Sequence, residues 1–434
     1  MNSKESILDK NPVFADLHLH SRFSRACSKD LSIENLVKWG KVKGLGLLGT
    51  GDFTHEKWLA EINEKLEDDG TGILELKEGD KSVKFIFSGE ISLIYTQGGK
   101  GRRIHFLLLA PNLESVKKIN AFLDTKGRRD YDGRPIFGFS AVELVKEMGN
   151  ISEDIEIIPA HAYTPYFGIF GSETGFNSLK EAFGEHAEKI HAIETGMSSD
   201  PEMNWRIKEL GNKTIVSFSD SHSFWPWRIG REATVFQEIR SYRDLIKQIR
   251  ENSILGTIET DPAYGKYHWD GHANCKFSSS PEETKKLKGL CPVCGKALTI
   301  GVEYRVEEIA ENPLGYVPEN GKPFYKVLPL MELISLKTGA ALASKKNWEI
   351  YNEILGKFGN EFNVLLRLTR EEMQEKNIDE KLIELILLNR EGRIKVKPGY
   401  DGEYGIAMLA NKETTIGEEE NKVKSENSVQ KKLF

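Results

Sequence analysis

Seven short apolar runs in the first half of the chain each carry a histidine or an acidic residue at or near their end, and this pattern constrains the fold more than any other feature. In chain order the runs carry His18 with His20, Asp52, Glu90, His105, His161, Glu194, and Asp220 with His222. An apolar run that stops at such a residue places it at the carboxyl end of a buried strand. In a barrel of parallel strands these ends open on one face, so we expect the side chains to converge there.

The residue types of this set predict a metal site. Imidazole and carboxylate groups together bind zinc, manganese or similar divalent ions, and more than one ion can share such a cluster. His18 and His20 are two residues apart, so both rings lie on the same side of a strand, and Asp220 with His222 repeats this spacing. A single histidine after an apolar run, such as His105, is more often a core or loop residue. The set as a whole indicates a multinuclear metal hydrolase.

The segments DLHLHS, TGD, SGE, IH, PAH and SDSH, in this order, resemble the PHP family of phosphoesterases over residues 12 to about 258. The resemblance implies a distorted barrel of about seven strand–helix units with two or three catalytic divalent metals, Zn2+, Mn2+ or Mg2+. It implies catalytic and metal-ligating roles for His18, His20, Asp52, Glu90, His105, His161, Asp220 and His222. The sequence departs from the family where Asp52 replaces the histidine of a TDH motif, and where SRACSKD replaces a further histidine.

Length and composition agree with a multidomain chain. The 434 residues, 39% of them hydrophobic, can build two or three domains with a sizeable core. No run approaches the roughly 20 apolar residues of a membrane span, and MNSKESILDK lacks the apolar core of a signal peptide. Four cysteines in so long a chain do not make a disulfide scaffold, so we expect a cytoplasmic protein. The net charge of −6 argues against indiscriminate coating of nucleic acid but leaves room for a local basic groove. We also expect a monomer without membrane contact, nucleoid-associated in a prokaryotic cell.

A second metal motif follows the barrel, in the region 259–300. His272 and Cys275 form one close pair, and after fifteen intervening residues Cys291 and Cys294 form the CPVCG pair. Two such pairs bind one tetrahedral ion, and four protein ligands leave no open position, so the spacing predicts a structural Zn2+. His268 is an alternative first ligand.

Residues 301–410 show helical patterns that end in the basic segment NREGRIKVKPGYDGEYG, and we expect a helical, DNA-contacting domain there. Residues 411–434 form a polar tail for which the composition predicts disorder. The tail ends in SVQKKLF, in which Gln430, Leu433 and Phe434 resemble part of the motif that binds the sliding clamp PCNA. The alternative is a chance match.

The barrel motifs, the segment YGKYHWDGHANC, the CPVCG pair and the basic segment together resemble the archaeal endonuclease Q family over almost the whole chain. The resemblance implies a DNA repair endonuclease. Such an enzyme nicks damaged double- or single-stranded DNA on the 5′ side of deaminated bases (deoxyinosine, deoxyuridine, xanthine) and abasic sites. Metal-activated water would attack the phosphodiester after the damaged base is flipped.

Two basic loops, at 98–103 and 126–134, and the aromatic loops after His161 and His222 are candidates for DNA contact, because guanidinium groups bind phosphate and aromatic rings stack on bases. The alternatives are solvated surface and an aromatic cap on the barrel. The candidates are Arg102, Arg103, Tyr163, Tyr166, Phe167, Trp225, Trp227, Arg228, Arg231, Lys395 and Lys397.

Two other functions fit parts of the sequence. A small-molecule phosphatase of the histidinol-phosphate type would share the barrel motifs, but it needs neither the zinc module nor the helical region. A non-catalytic DNA-binding scaffold would need no such complete ligand set.

Overall fold

Helices separate most strands in the first 260 residues, although four strands follow one another between residues 66 and 110. The structure is a computed structural model that describes residues 11–408. The strands are β1 (Val13–Asp16), β2 (Leu47–Gly49), β3 (Leu66–Asp68), β4 (Leu74–Leu76), β5 (Lys84–Gln97), β6 (Lys100–Ala110), β7 (Ile136–Phe137), β8 (Glu156–Pro159), β9 (Ala192–Glu194), β10 (Thr214–Val216), β11 (Ala233–Phe236), β12 (Gly256–Glu259), β13 (Asp270–His272), β14 (Phe277–Ser279), β15 (Phe324–Lys326), β16 (Lys395–Lys397) and β17 (Ile406–Met408). The fold is mixed α/β.

The helices begin and end where the sequence places capping residues. Ser32 accepts a hydrogen bond from the backbone of Asn35 at the start of the first helix, and Gly44 ends that helix with a φ of 100°. The helices are α1 (Ile33–Lys43), α2 (Glu56–Lys65), α3 (Leu113–Lys126), α4 (Ala141–Ile151), α5 (Leu179–Phe183), α6 (Pro201–Trp205), α7 (Tyr242–Arg250), α8 (Pro281–Lys286), α9 (Val302–Ile309), α10 (Leu330–Thr338), α11 (Lys345–Phe358), α12 (Arg370–Glu375) and α13 (Glu380–Arg390).

The main sheet has the order β15-β12-β11-β1-β2-β5-β4-β3, and β6, β7 and β8 join it at β5 and β6. The pairs β1–β2 and β2–β5 are parallel, as expected for strand–helix units. In contrast, β5–β6 and β6–β8 are antiparallel. The pair β9–β10 is parallel and forms a separate ladder. The seven-unit barrel stays a prediction, because the sheet contains antiparallel strand pairs where a barrel of strand–helix units would have parallel ones.

A two-residue turn explains the antiparallel pair. Gln97 pairs with Lys100, so Gly98 and Gly99 alone connect β5 to β6. Both glycines have positive φ, 64° and 75°, which suits a tight hairpin turn. The interpretation of 98–103 as a loop is therefore wrong for Lys100–Arg103, which belong to β6.

The region after residue 258 continues the same sheet. Strand β15 pairs in parallel with β12, and β13–β14 forms a small hairpin in the region of the zinc motif. Arg305 of α9 donates hydrogen bonds to the carbonyl oxygens of Phe170 and Phe176, so α9 is anchored on the segment between β8 and α5. Within residues 11–408 no helix is long and apolar enough to span a bilayer. The predictions for the tail, with Gln430, Leu433 and Phe434, lie outside the described residues.

Candidate metal centre

Six of the predicted side chains form two overlapping groups. Nitrogen and oxygen atoms of His18, His20, Glu90 and Asp220 all lie within 4.8 Å of one another. Glu90, His105 and His161 meet the same limit, so Glu90 belongs to both groups. The sequence predicts that Glu90 and His105 lie at strand ends, but in the structure they lie within β5 and β6. The hairpin brings them together, with 2.7 Å between His105 Nδ1 and Glu90 Oε1.

The donor set fits divalent cations, and the clearest sign is His18. Its Nδ1 lies 2.9 Å from Glu194 Oε1, which holds a proton on that nitrogen. Its Nε2 is buried, lies 3.5 Å from Glu90 and 3.7 Å from Asp220, and makes no hydrogen bond within residues 11–408. A buried ring nitrogen that faces two carboxylates while the other nitrogen binds a carboxylate is the arrangement of a metal-ligating histidine.

Asp52 and His222 occupy the edge of these groups. The Asp52 carboxylate accepts hydrogen bonds from Ser21 N at 2.6 Å and Ser24 Oγ at 2.8 Å, and it contacts His20 Nδ1 at 3.0 Å. This position orients His20, whereas the sequence assigns Asp52 as a ligand. The ring of His222 lies 4.5 Å from that of His20, and its Nδ1 contacts the carbonyl oxygen of Asp220.

Three residues of the centre have left-handed backbone. Asp52, His161 and Asp220 have φ values of 42°, 33° and 48°. This conformation costs an L-residue about 1–2 kcal/mol. Hydrogen bonds oppose that cost, for example the one at 2.7 Å from His161 N to Glu194 Oε2. Such strained positions cluster at functional sites, which supports the assignment of this region as the functional site.

Attraction between the carboxylates and the cationic side chains keeps most titratable groups of the metal centre charged, although they are buried. Burial would raise the pKa of Glu90, but His105, Arg134 and His18 hold it well below its usual range. Burial would lower the pKa of His18, but the carboxylates of Glu194 and Glu90 raise it well above its usual value, so a cation that binds at Nε2 would displace a proton from that nitrogen. For His105 burial prevails and lowers the pKa to about 4, so this ring is neutral and free to bind a cation at neutral pH.

Arg134 completes the centre and is absent from the predicted site residues, although it ends the basic stretch at 126–134. Its Nη1 lies 3.1 Å from Glu90 Oε2. The loop that carries it is fixed, because Gly133 donates a hydrogen bond to the Phe23 carbonyl oxygen and accepts one from Thr54 Oγ1. A Cβ at Gly133 would lie 2.2 Å from the Asp52 carboxylate, so only glycine fits this approach.

The second predicted metal site is also assembled. Ligand atoms of His272, Cys275, Cys291 and Cys294 lie within 4.8 Å of one another, and Cys294 Sγ is 3.4 Å from His272 Nδ1. His268 is not in this group and lies 3.6 Å from Glu303 instead. Three thiols and one imidazole around one point fit a tetrahedral zinc ion.

The candidate DNA-contacting residues divide by exposure. Tyr163, Trp227 and Arg102 are buried, and Arg102 donates to the Gly175 carbonyl oxygen and to Glu181 at 2.8 Å. Their side chains are therefore occupied by packing. The half-buried candidates are Phe167, Trp225, Arg228 and Arg231, and the exposed candidates are Arg103, Tyr166, Lys395 and Lys397. Phe167 packs its ring 4.4 Å from that of His105.

Two solved structures share this fold. The first is the lesion-specific endonuclease PfuEndoQ from Pyrococcus furiosus, with a TM-score of 0.82 and 29% identity, over 92% of this chain and 96% of that one. The second is endonuclease Q in complex with a 27-mer duplex substrate that has an abasic lesion at the active site. Its TM-score is 0.82 and its identity 30%, over 94% of this chain and 99% of that one.

Sequence relatives match as well. The MJ0043 C-terminal domain family matches residues 329–393. The protein MJ0043 of Methanocaldococcus jannaschii is 33% identical over 254 residues, 56% of this chain, but the match covers only 31% of its own length. The protein YqxK of Bacillus subtilis is 27% identical over 415 residues, 91% of this chain and 98% of that one.

The fold and these matches support a nuclease of the DNA repair class. The resemblance of the sequence motifs to the endonuclease Q family is thereby confirmed. The chain belongs to the endonuclease Q family.

Proposed function

We propose that this protein is a metal-dependent endodeoxyribonuclease that nicks DNA on the 5′ side of deaminated bases, namely deoxyinosine, deoxyuridine and xanthine, and of abasic sites. The observation that carries the proposal is the sharing of Glu90 by two buried groups of ligand atoms. A carboxylate with histidines on both sides can bridge two cations, and paired cations are the usual device for hydrolysis of a phosphodiester.

The residues divide between two cation positions. His18, His20, Glu90 and Asp220 would hold one cation, and Glu90, His105 and His161 would hold the second. Mg2+, Mn2+ or Zn2+ bound there supplies charge relief on the phosphate and a water nucleophile at neutral pH. Asp52 and Glu194 orient His20 and His18, since each accepts a hydrogen bond from the ring nitrogen that faces away from the centre.

Arg134 would bind the scissile phosphate. Its guanidinium lies beside Glu90 and is 27% exposed, so it can reach both the ligand group and a substrate at the mouth of the site. Guanidinium groups bind phosphate oxygens with paired hydrogen bonds.

The damaged nucleotide would be recognised after it has flipped out of the duplex. A solved relative holds a duplex with an abasic lesion at its active site. In this chain the exposed Tyr166 and the half-buried Phe167 follow the ligand His161 and would contact the flipped nucleotide, while Arg103, Lys395 and Lys397 would contact the backbone. His272, Cys275, Cys291 and Cys294 would hold a structural Zn2+.

The test is incubation with end-labelled duplexes that contain inosine, uracil, xanthine or an abasic site, with metal titration and mapping of the product ends. We expect a single cut on the 5′ side of each lesion, loss of cutting with EDTA, and no cutting by His20→Ala. Lys118→Ala provides a control and should cut normally, because Lys118 is exposed on α3 and lies in none of the candidate DNA-contacting stretches.

The same assay separates the alternatives. A small-molecule phosphatase would hydrolyse a phosphate monoester and leave every duplex intact. A scaffold would bind the lesion duplex with no metal-dependent product. Either result would overturn the proposal.

The tail carries a separate proposal, which rests on sequence alone. Gln430, Leu433 and Phe434 would bind PCNA and bring the nuclease to newly replicated DNA. Tethering an enzyme to a clamp raises its local concentration on DNA without any change at the active site.

A further inference from the structure

A lysine of the barrel is buried against the helical C-terminal region. Lys43, the last residue of α1, is 1% exposed, and its Nζ lies 2.6 Å from Oε1 of the fully buried Glu361. Glu361 follows α11 and accepts further hydrogen bonds from Leu330 N at 3.0 Å and Tyr351 Oη at 2.7 Å. The ion pair therefore joins α1 to the segment that matches the MJ0043 C-terminal domain family.

The same lysine also binds the loop that follows the metal ligands. Lys43 Nζ donates to the carbonyl oxygen of Pro226 at 2.9 Å. Pro226 lies in the middle of residues 219–230, a segment that contains Asp220 and His222. Asp16 fixes both ends of this segment, because its carboxylate accepts hydrogen bonds from Ser219 N at 3.0 Å and Gly230 N at 2.8 Å. The segment is thus held at its base by β1 and in its middle by Lys43.

Aromatic packing reinforces the link. Trp225 and Trp227 stack with 5.4 Å between ring centroids and an angle of 3°, and Trp348 of α11 lies 5.8 Å and 5.6 Å from them. Trp39 of α1 lies 5.6 Å from Trp225. The rings that the sequence offers as base contacts are therefore packed between α1 and α11.

We propose that the Lys43–Glu361 pair positions residues 219–230, so that the C-terminal helical region sets the geometry of Asp220 and His222. The inference rests on the proposed function, since Asp220 acts there as a ligand. Well-packed apolar residues often replace a buried ion pair without loss of stability, so the pair is weak evidence for a stabilising role, and we assign it a role in geometry. Its particular contribution is the hydrogen bond to Pro226, which an apolar side chain cannot make.

The test uses the full-length protein stripped of metal and the double variant Lys43→Met with Glu361→Gln. Methionine keeps the apolar stem, and no unpaired charge is buried. The carbonyl oxygen of glutamine can accept from Tyr351, but its amide NH2 then faces the Leu330 N–H donor, so we expect the thermal midpoint to fall as well. We expect Mn2+ affinity, measured by calorimetry well below that midpoint, to fall about tenfold. The kcat on a lesion duplex should fall by a similar factor, whereas KM should not change.

Lys326→Met is the matched control. Lys326 pairs with Asp200 at 2.7 Å and also joins the C-terminal region to the first 258 residues, but within residues 11–408 no hydrogen bond or ion pair joins it to residues 219–230. Its Mn2+ affinity should equal that of the wild type. Equal affinity in the double variant, or an equal loss in the control, would overturn the inference.

Two further experiments distinguish a variant that fails to fold from a failure of the inference or of the proposed function. If the double variant does not fold, Tyr351→Phe removes one hydrogen bond to Glu361 and should weaken Mn2+ binding in the same direction by about threefold, and unchanged binding would overturn the inference. If the wild-type protein neither binds Mn2+ nor cuts a lesion duplex, the proposed function itself fails, and the inference fails with it.

Discussion

Glu194 is the residue whose replacement tests the metal centre most sharply. Its carboxylate is fully buried and accepts from two donors, His161 N at 2.7 Å and His18 Nδ1 at 2.9 Å. Glutamine has the same shape but only one acceptor oxygen. If that oxygen stays with His161 N, the amide NH2 faces His18 and moves the ring proton to Nε2, which must stay free for a cation. If the amide is reversed, two donors face each other at His161.

Both arrangements predict a defined loss for Glu194→Gln. An unsatisfied buried donor costs about 1–3 kcal/mol of stability. Loss of the partner that orients a metal-ligating histidine lowers metal affinity about 10- to 100-fold, which is about 1.4–2.7 kcal/mol. The assay is calorimetric titration of metal-free protein with Mn2+, together with thermal unfolding of the same samples.

Glu156 provides a matched control for Glu194. Glu156 is 1% exposed and pairs with His191 Nδ1 at 2.8 Å and Arg250 Nε at 2.8 Å, so it is also a buried carboxylate on a histidine. Glu156→Gln should lower the thermal midpoint but leave Mn2+ affinity unchanged. If Glu194→Gln binds Mn2+ like the wild type, or if both variants lose affinity equally, the orienting role of Glu194 is refuted.

Three other predictions follow from the remaining features. Cys291→Ser should release one zinc ion per chain and destabilise the module, because structural zinc contributes directly to folding; an unchanged zinc content by atomic absorption would contradict the ligand set. Burial raises the pKa of Glu259 to about 8, so the folded chain holds a proton there that the unfolded chain loses near its usual pKa. Stability should therefore fall as pH rises between these values, by up to about 1.4 kcal/mol per unit, and Glu259→Gln should flatten the dependence of Tm on pH from 6 to 8. Deletion of residues 430–434 should abolish binding to PCNA in a pull-down without altering cleavage of short duplexes, and equal clamp binding by the truncated protein would show the motif to be spurious.

The sequence predicts the composition of the centre better than its geometry. The spacing of His18 and His20, and of Asp220 with the preceding strand, predicts that these three side chains converge. The structure brings them into one group, because period-2 geometry is local. Glu90 and His105 meet through a hairpin, and the pairing partner of a strand is a long-range property that an apolar run does not encode.

The predicted DNA contacts show the same limit. The density of aromatic residues after His222 indicates an unusual loop, but the sequence does not show that Trp348, more than a hundred residues later, covers it. Burial of Arg102 likewise depends on Glu181, a partner from a distant helix. Local patterns identify which side chains are unusual, whereas tertiary packing decides whether they face substrate or core.

The β5–β6 hairpin has a consequence for how this family can tolerate insertions. Surface turns usually accept added residues, since they carry few contacts. Here an extra residue in β5 or β6 that shifts the pairing by one position would turn Glu90 or His105 to the opposite face of the sheet. Homologues should therefore keep the number of residues between each ligand and the turn, and keep glycine or asparagine at positions 98 and 99, where φ is positive. Residue type can vary at positions 100 and 101, so strand length is the property under selection there.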